Sequence, residues 1–248
     1  MQSRFRIFAG PHGSGKTHLF NYLKNQAFIH TEIYVNADEI EKKLQKKLQF
    51  NFNAYRVKVN DFDFKRHIEL SGILSKINDS SFLEKIKIES GVLHLGINKK
   101  SLNSYIASFV ASYLAEKLIE SKQSFCLETV LSHPSKLELI KLANKANYKT
   151  YLYFIYTDNW KLNLERVRLR VKQGGHNVDE LKVKERYYKS LNLFHKAASR
   201  VNSAFLIDNS RNFEVMTELE NGSKKNMSKN ISELALEILS NKMKREKK

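Results

Sequence analysis

The octapeptide Gly10-Pro11-His12-Gly13-Ser14-Gly15-Lys16-Thr17 constrains this chain more than any other feature. It matches G-x-x-x-x-G-K-[ST] in full, a pattern whose physical content is a loop curled around a phosphate group. Its glycines let successive backbone N–H groups turn inward on the anion, where a Cβ would obstruct the curl. Lys16 adds a point charge for the β- and γ-phosphates, and the Thr17 hydroxyl is a natural Mg²⁺ ligand. A helix starting at Lys16 aims its positive end at the same anion. The flanks agree with this reading. Residues 4–9 read as a strand, and Leu19, Phe20 and Leu23 give an apolar face to a helix over about 16–25.

Further strands are expected at 33–37, 125–130 and 151–156, at 204–208 and, as a short edge strand, at 213–220. Tyr151-Leu152-Tyr153-Phe154-Ile155-Tyr156 is a continuous apolar and aromatic run, the mark of a strand buried on both faces. Helices are expected between them: one carrying Ile40, Leu44 and Leu48, then about 101–121, from Pro134 to about 146, 160–173, about 180–200, and 230–245. Strands alternating with helices predict an α/β fold with a mainly parallel sheet. Residues 50–100 carry aromatics, asparagines and lysines with no clean period.

Composition removes several classes. A single cysteine, Cys126, leaves no disulfide framework and no cysteine-based zinc site. No apolar run approaches the ~18 residues of a membrane span, and the first residues are too charged for a signal peptide. A cytoplasmic location is therefore expected. Lys and Arg number 43 against 26 Asp and Glu, a net charge of +17, which predicts a polyanionic partner.

A phosphate loop alone fits GTPases, transport ATPases, helicases and small-molecule kinases. The chain has no guanine-reading N-K-x-D and no transporter-type ATPase signature. A kinase needs a base for the attacking hydroxyl, a second acid for Mg²⁺ and cations for the moving phosphoryl group. Asp38 ends the second strand, where ligands gather in parallel sheets, and suits the base. It equally suits a helix N-cap. Glu128, ending Phe125-Cys126-Leu127, resembles a Walker B acid, and Thr129 beside it can contact substrate or close the strand. On the helix over 160–173, Arg166 and Arg170 share a face one turn apart, whereas Arg168 projects oppositely. Two such arginines before Gly174-Gly175 suit a lid closing over phosphates. His176 and Arg186 are weaker candidates on that lid and its return helix, and His12 needs no special role.

Taken in order, Gly13-Ser14-Gly15-Lys16-Thr17, Asn36-Ala37-Asp38, Phe125-Cys126-Leu127-Glu128-Thr129, and Arg166 through His176 followed by Arg186-Tyr187-Tyr188 span most of residues 4–210. In this order they resemble the zeta-toxin-like family of P-loop kinases. The resemblance implies a P-loop NTPase fold of three α/β/α layers, with a helical lid at 166–186 and a substrate-side insertion at 50–100 of one domain over 1–248. It implies ATP and Mg²⁺ as cofactors and phosphorylation of a sugar hydroxyl, in the studied toxins that of UDP-N-acetylglucosamine. By position, Lys16 matches the phosphate-loop lysine, Asp38 the base and Glu128 the acid near Mg²⁺. Arg166 and Arg170 are the lid arginines. Asn36, Ser104, Tyr105, Thr129, His176 and Arg186 are expected on the substrate side, and an antitoxin protein is an implied partner.

Two other readings stand beside it: a nucleic-acid end kinase drawing on the +17 charge, and a non-catalytic protein that holds ATP as a switch. Residues 161–189 hold nine Lys/Arg against four Asp/Glu, so part of the charge falls where a nucleotide lid is expected.

Overall fold

The computed structural model describes residues 2–77, 79–174 and 178–240. In chain order the first elements are β1 (Arg4–Ala9), α1 (Lys16–Asn25), β2 (Tyr34–Asn36), α2 (Ala37–Lys47) and β3 (Gln49–Asn51). They are followed by α3 (Asp61–Ser71), β4 (Ile86–Glu89), β5 (Val92–Leu95), α4 (Ser104–Glu120) and β6 (Phe125–Thr129). Next come α5 (Ser135–Lys145), β7 (Lys149–Tyr156), α6 (Trp160–Lys172) and α7 (Glu180–Ala198). The last are β8 (Ser203–Asp208), β9 (Glu214–Glu220), β10 (Ser223–Met227) and α8 (Glu233–Ser240). These fall into two units, residues 1–32 with 125–248, and residues 33–124.

In the first unit the strands lie in the order β10-β9-β8-β7-β1-β6. β6, β1, β7 and β8 are parallel, and β9 and β10 return antiparallel. The apolar runs explain the parallel core. Phe5, Phe8, Phe125, Phe154 and Leu206 are fully buried, as strands covered on both faces require. Phe8, Tyr153 and Phe205 stack across three neighbouring strands, with ring centroids 4.9 and 5.2 Å apart. Phe154 meets Phe194 of α7 at 5.0 Å. Phe154→Ala is therefore expected to cost about 3–5 kcal/mol of stability, read as a lowered midpoint in chemical denaturation.

β9 is not the edge strand the sequence suggested, because β10 pairs outside it. Asn221 and Gly222, both at positive φ, make the hairpin turn. Ser223-Lys224-Lys225-Asn226-Met227 is exposed throughout, a polar, lysine-bearing strand of the kind that protects sheet edges.

The second unit holds β2, a three-stranded sheet in the order β3-β5-β4, and α2, α3 and α4. β4 and β5 form a hairpin through Ser90-Gly91, both at positive φ as a type I′ turn demands. Its core is aromatic: Phe64 lies edge-to-face on Tyr113 at 4.9 Å, and Phe52 packs on both. The Tyr113 hydroxyl donates to Asp63 Oδ2, which also pairs with Lys117 Nζ at 2.7 Å. Desolvation works against the Asp63 carboxylate, but the Lys117 and Tyr113 hydrogen bonds prevail and hold its pKa below the usual value. Among the described residues no helix is long and apolar enough to cross a membrane.

Candidate active site around the phosphate loop

β1 ends at Ala9 and α1 begins at Lys16, so the loop between them sits at the carboxyl end of a central parallel strand. Gly13 has φ +75°, and a Cβ there would lie 2.5 Å from the carbonyl oxygen of Asn163 on α6. Gly15 has φ +98°, and a Cβ would meet Asn209 Nδ2 at 2.3 Å. Both positions thus need glycine for the backbone angle and for the close approach of a neighbour. Lys16 is buried, and its Nζ donates to the Pro11 carbonyl at 2.7 Å. The ammonium is therefore held over its own loop.

Parallel pairing in register sets Glu128 beside Phe8 and Thr129 beside Ala9, which brings the β6 acid to the start of the loop. Thr17 Oγ1 donates to Glu128 Oε2 at 2.8 Å. A hydroxyl and a carboxylate in contact are hard oxygen donors of the type Mg²⁺ takes, with waters and phosphates completing its shell. Among the described residues no group of three or more His, Cys, Asp or Glu forms a metal cage. Thr129 Oγ1 accepts from the Leu131 N–H, so it closes the strand. Burial pushes the neighbouring Cys126 thiol up to about 12, which removes it as a nucleophile.

Three contacts around the loop went unread in the sequence. Arg186 Nη1 donates to His12 Nε2 at 3.1 Å, so the return helix α7 holds a loop residue. Asn209, just after β8, donates from Nδ2 to the Ser14 carbonyl at 2.8 Å. Phe213 stacks on His18 with centroids 5.5 Å apart. The position of Asp208-Asn209-Ser210 at the end of a buried strand was the available signal, since such ends line the crevice of parallel sheets.

Arg166 reaches this same segment, donating to the carbonyls of Asn209 at 2.8 Å and Ser210 at 3.2 Å. It thereby clamps the turn that holds Ser14. Arg170 is half-buried further along α6, whereas Arg168 is exposed and pairs with Glu180 at 2.8 Å. His176 lies outside the described residues.

The remaining candidates belong to the second unit. Asn36, not Asp38, is the N-cap of α2: its side chain accepts from the Asp38 N–H at 2.8 Å. Asp38 is the second residue of α2 and stands in its first turn. Ser104 and Tyr105 open α4 behind the Asn103 cap.

The family model described as zeta toxin matches residues 99–218, which include Glu128, Arg166, Arg186 and Asn209. An uncharacterized protein of Haemophilus influenzae is 31% identical over 105 residues, 42% of this chain and 75% of that protein. The chain belongs to the zeta-toxin-like family. The fold agrees. The AvrRxo1-ORF1:-ORF2 complex solved with ATP superposes on 98% of the zeta-toxin-like chain with a TM-score of 0.59 at 16% identity. The chain spans 65% of the length of that neighbour. The PezAT toxin–antitoxin system of Streptococcus pneumoniae gives a TM-score of 0.51 at 10% identity, covering 97% of this chain and 85% of that one.

Proposed function

We propose that this protein is a kinase that transfers the γ-phosphoryl group of ATP, with Mg²⁺, to a hydroxyl of a nucleotide sugar such as UDP-N-acetylglucosamine. The observation that carries this reading is the hydrogen bond from Thr17 to Glu128, which joins the phosphate loop to the acid ending the next strand. The ATP in the AvrRxo1 complex and the kinase chemistry implied by the resemblance support it.

In this reading the loop amides and Lys16 hold the β- and γ-phosphates, and Thr17 and Glu128 hold Mg²⁺, which offsets phosphate charge. Asp38 accepts the proton of the acceptor hydroxyl as that oxygen bonds to the γ-phosphorus. The bond from γ-phosphorus to the bridging oxygen breaks, and ADP leaves. Arg170 and Arg186 supply cations for the moving phosphoryl group, while Arg166 steadies the Asn209 turn. Asn36 holds the Asp38 turn, and Ser104 and Tyr105 belong to the acceptor side. The fold unit is a kinase domain over 1–248 with its insertion at 50–100 and its lid at 166–186. A protein antitoxin is the expected partner, by analogy with PezAT.

Incubation with γ-labelled ATP and a panel of nucleotide sugars, nucleosides and oligonucleotides tests this directly. Label on a nucleotide sugar is the expected result, and label confined to oligonucleotide ends would replace the reading with an end kinase. The Asn209 contact gives a second expectation. Asn209→Ala removes the donor to Ser14 and should weaken ATP binding about 3- to 10-fold. Titration with a fluorescent ATP analogue reads the change, and unaltered affinity would remove Asn209 from the loop's support.

A further inference from the structure

At the end of the first unit's sheet opposite the phosphate loop, a cleft of about 310 Å³ opens where β1, β7 and β8 begin. Gln2, Asn144, Asn147, Arg200, Asn202 and Asn221 line it, and among the described residues no aspartate or glutamate does. Its volume suits a small metabolite, at the lower end of ordinary ligand pockets.

The hydrogen bonds within the cleft fix which way each amide points. The Thr150 N–H donates to Asn202 Oδ1 at 2.8 Å, so Asn202 presents its Nδ2 on the other side. That group donates to Asn221 Oδ1 at 3.5 Å, which leaves Asn221 Nδ2 turned away from the bond. Gln2 Nε2 donates to the Asn147 carbonyl at 3.0 Å and lies 3.4 Å from Asn147 Oδ1, so Asn147 Nδ2 is likewise left over. Asn144 spends both ends, donating to the Arg200 carbonyl and accepting from Thr150 Oγ1. Arg200 uses Nη1 on the Lys196 carbonyl, and among the described residues no carboxylate pairs with its guanidinium.

Most amide acceptors are therefore consumed, and the donors of Asn147, Asn221 and Arg200 are in surplus. We infer that this cleft binds the oxyanion group, phosphate or carboxylate, of a small polar metabolite, at a site separate from the phosphate loop. Guanidinium and amide N–H groups are the donors such a group takes.

The test titrates the 248-residue chain with inorganic phosphate and, separately, with citrate, following the side-chain amide NMR signals of Asn147 and Asn221. These signals report the cleft alone, so anion binding at the phosphate loop does not confuse them. Asn147→Asp and Asn221→Asp each keep the accepting oxygen and replace the donor with a carboxylate. Each should weaken binding, followed on the remaining amide, at least about 10-fold. Arg200→Gln provides a third variant should either substitution unfold the chain, and retained ATP binding serves as the check of fold. Saturation by phosphate alone assigns a phosphate group and by citrate alone a carboxylate. Failure of both to move either signal, or equal affinity in the aspartate variants, would overturn the inference.

Discussion

Lys16→Ala is expected to lower phosphoryl transfer about 10²- to 10³-fold at saturating ATP, the usual loss when one preorganised electrostatic group is removed. Lys16 is buried and already bonded to the Pro11 carbonyl, so the loop holds its ammonium in place before the proposed ATP binds. Little reorganisation remains at the moment of reaction, which is why the loss should be large. The rest of the loop is held independently, Gly15 against Asn209 and Gly13 against Asn163, so the variant should stay folded. Steady-state rates beside a thermal melt separate the two. A collapse of the melting midpoint would mean that Lys16 is chiefly structural.

Asp38→Asn is expected to lower the turnover number about 10²- to 10⁴-fold, the usual contribution of a positioned general base. ATP affinity should not move. The separation is testable because Asn36 makes the cap of α2 through the Asp38 backbone N–H. Asparagine at position 38 preserves that bond and nearly the same volume. It sacrifices the favourable charge in the first helical turn, worth about 0.3–1 kcal/mol. Full activity in this variant would remove Asp38 as the base.

The parts of the fold legible in the sequence are those where one physical signal dominates. The phosphate loop was readable because its glycines answer to backbone geometry that other residues resist. β7 was readable because Tyr151 through Tyr156 are apolar without interruption, and α6 ended where expected because Gly174 takes φ +82°. Strands β3, β4 and β5 were hidden because they are three or four residues long, too short for alternation to register. The Ser90-Gly91 turn was their one local mark. β10 was hidden because both of its faces are solvated.

The site divides in the same way. Thr17 and Glu128 were legible because each ends or follows an apolar strand at a predictable place. The role of Arg166 was not, since helical spacing tells which face a side chain occupies but not which carbonyls wait there. His12, Asn209 and Phe213 depend on partners 174, 195 and 195 positions away in the chain, respectively, and local pattern carries no such information.

Kinase activity and acceptor class are read together by mass spectrometry of UDP-N-acetylglucosamine and other nucleotide sugars after incubation with ATP, Mg²⁺ and protein. The expected result is one nucleotide sugar heavier by a single phosphoryl group, formed with equimolar ADP, abundant with the wild-type chain and nearly absent with Lys16→Ala and Asp38→Asn. ATP bound but left intact, with all three proteins indistinguishable across the panel, would contradict it.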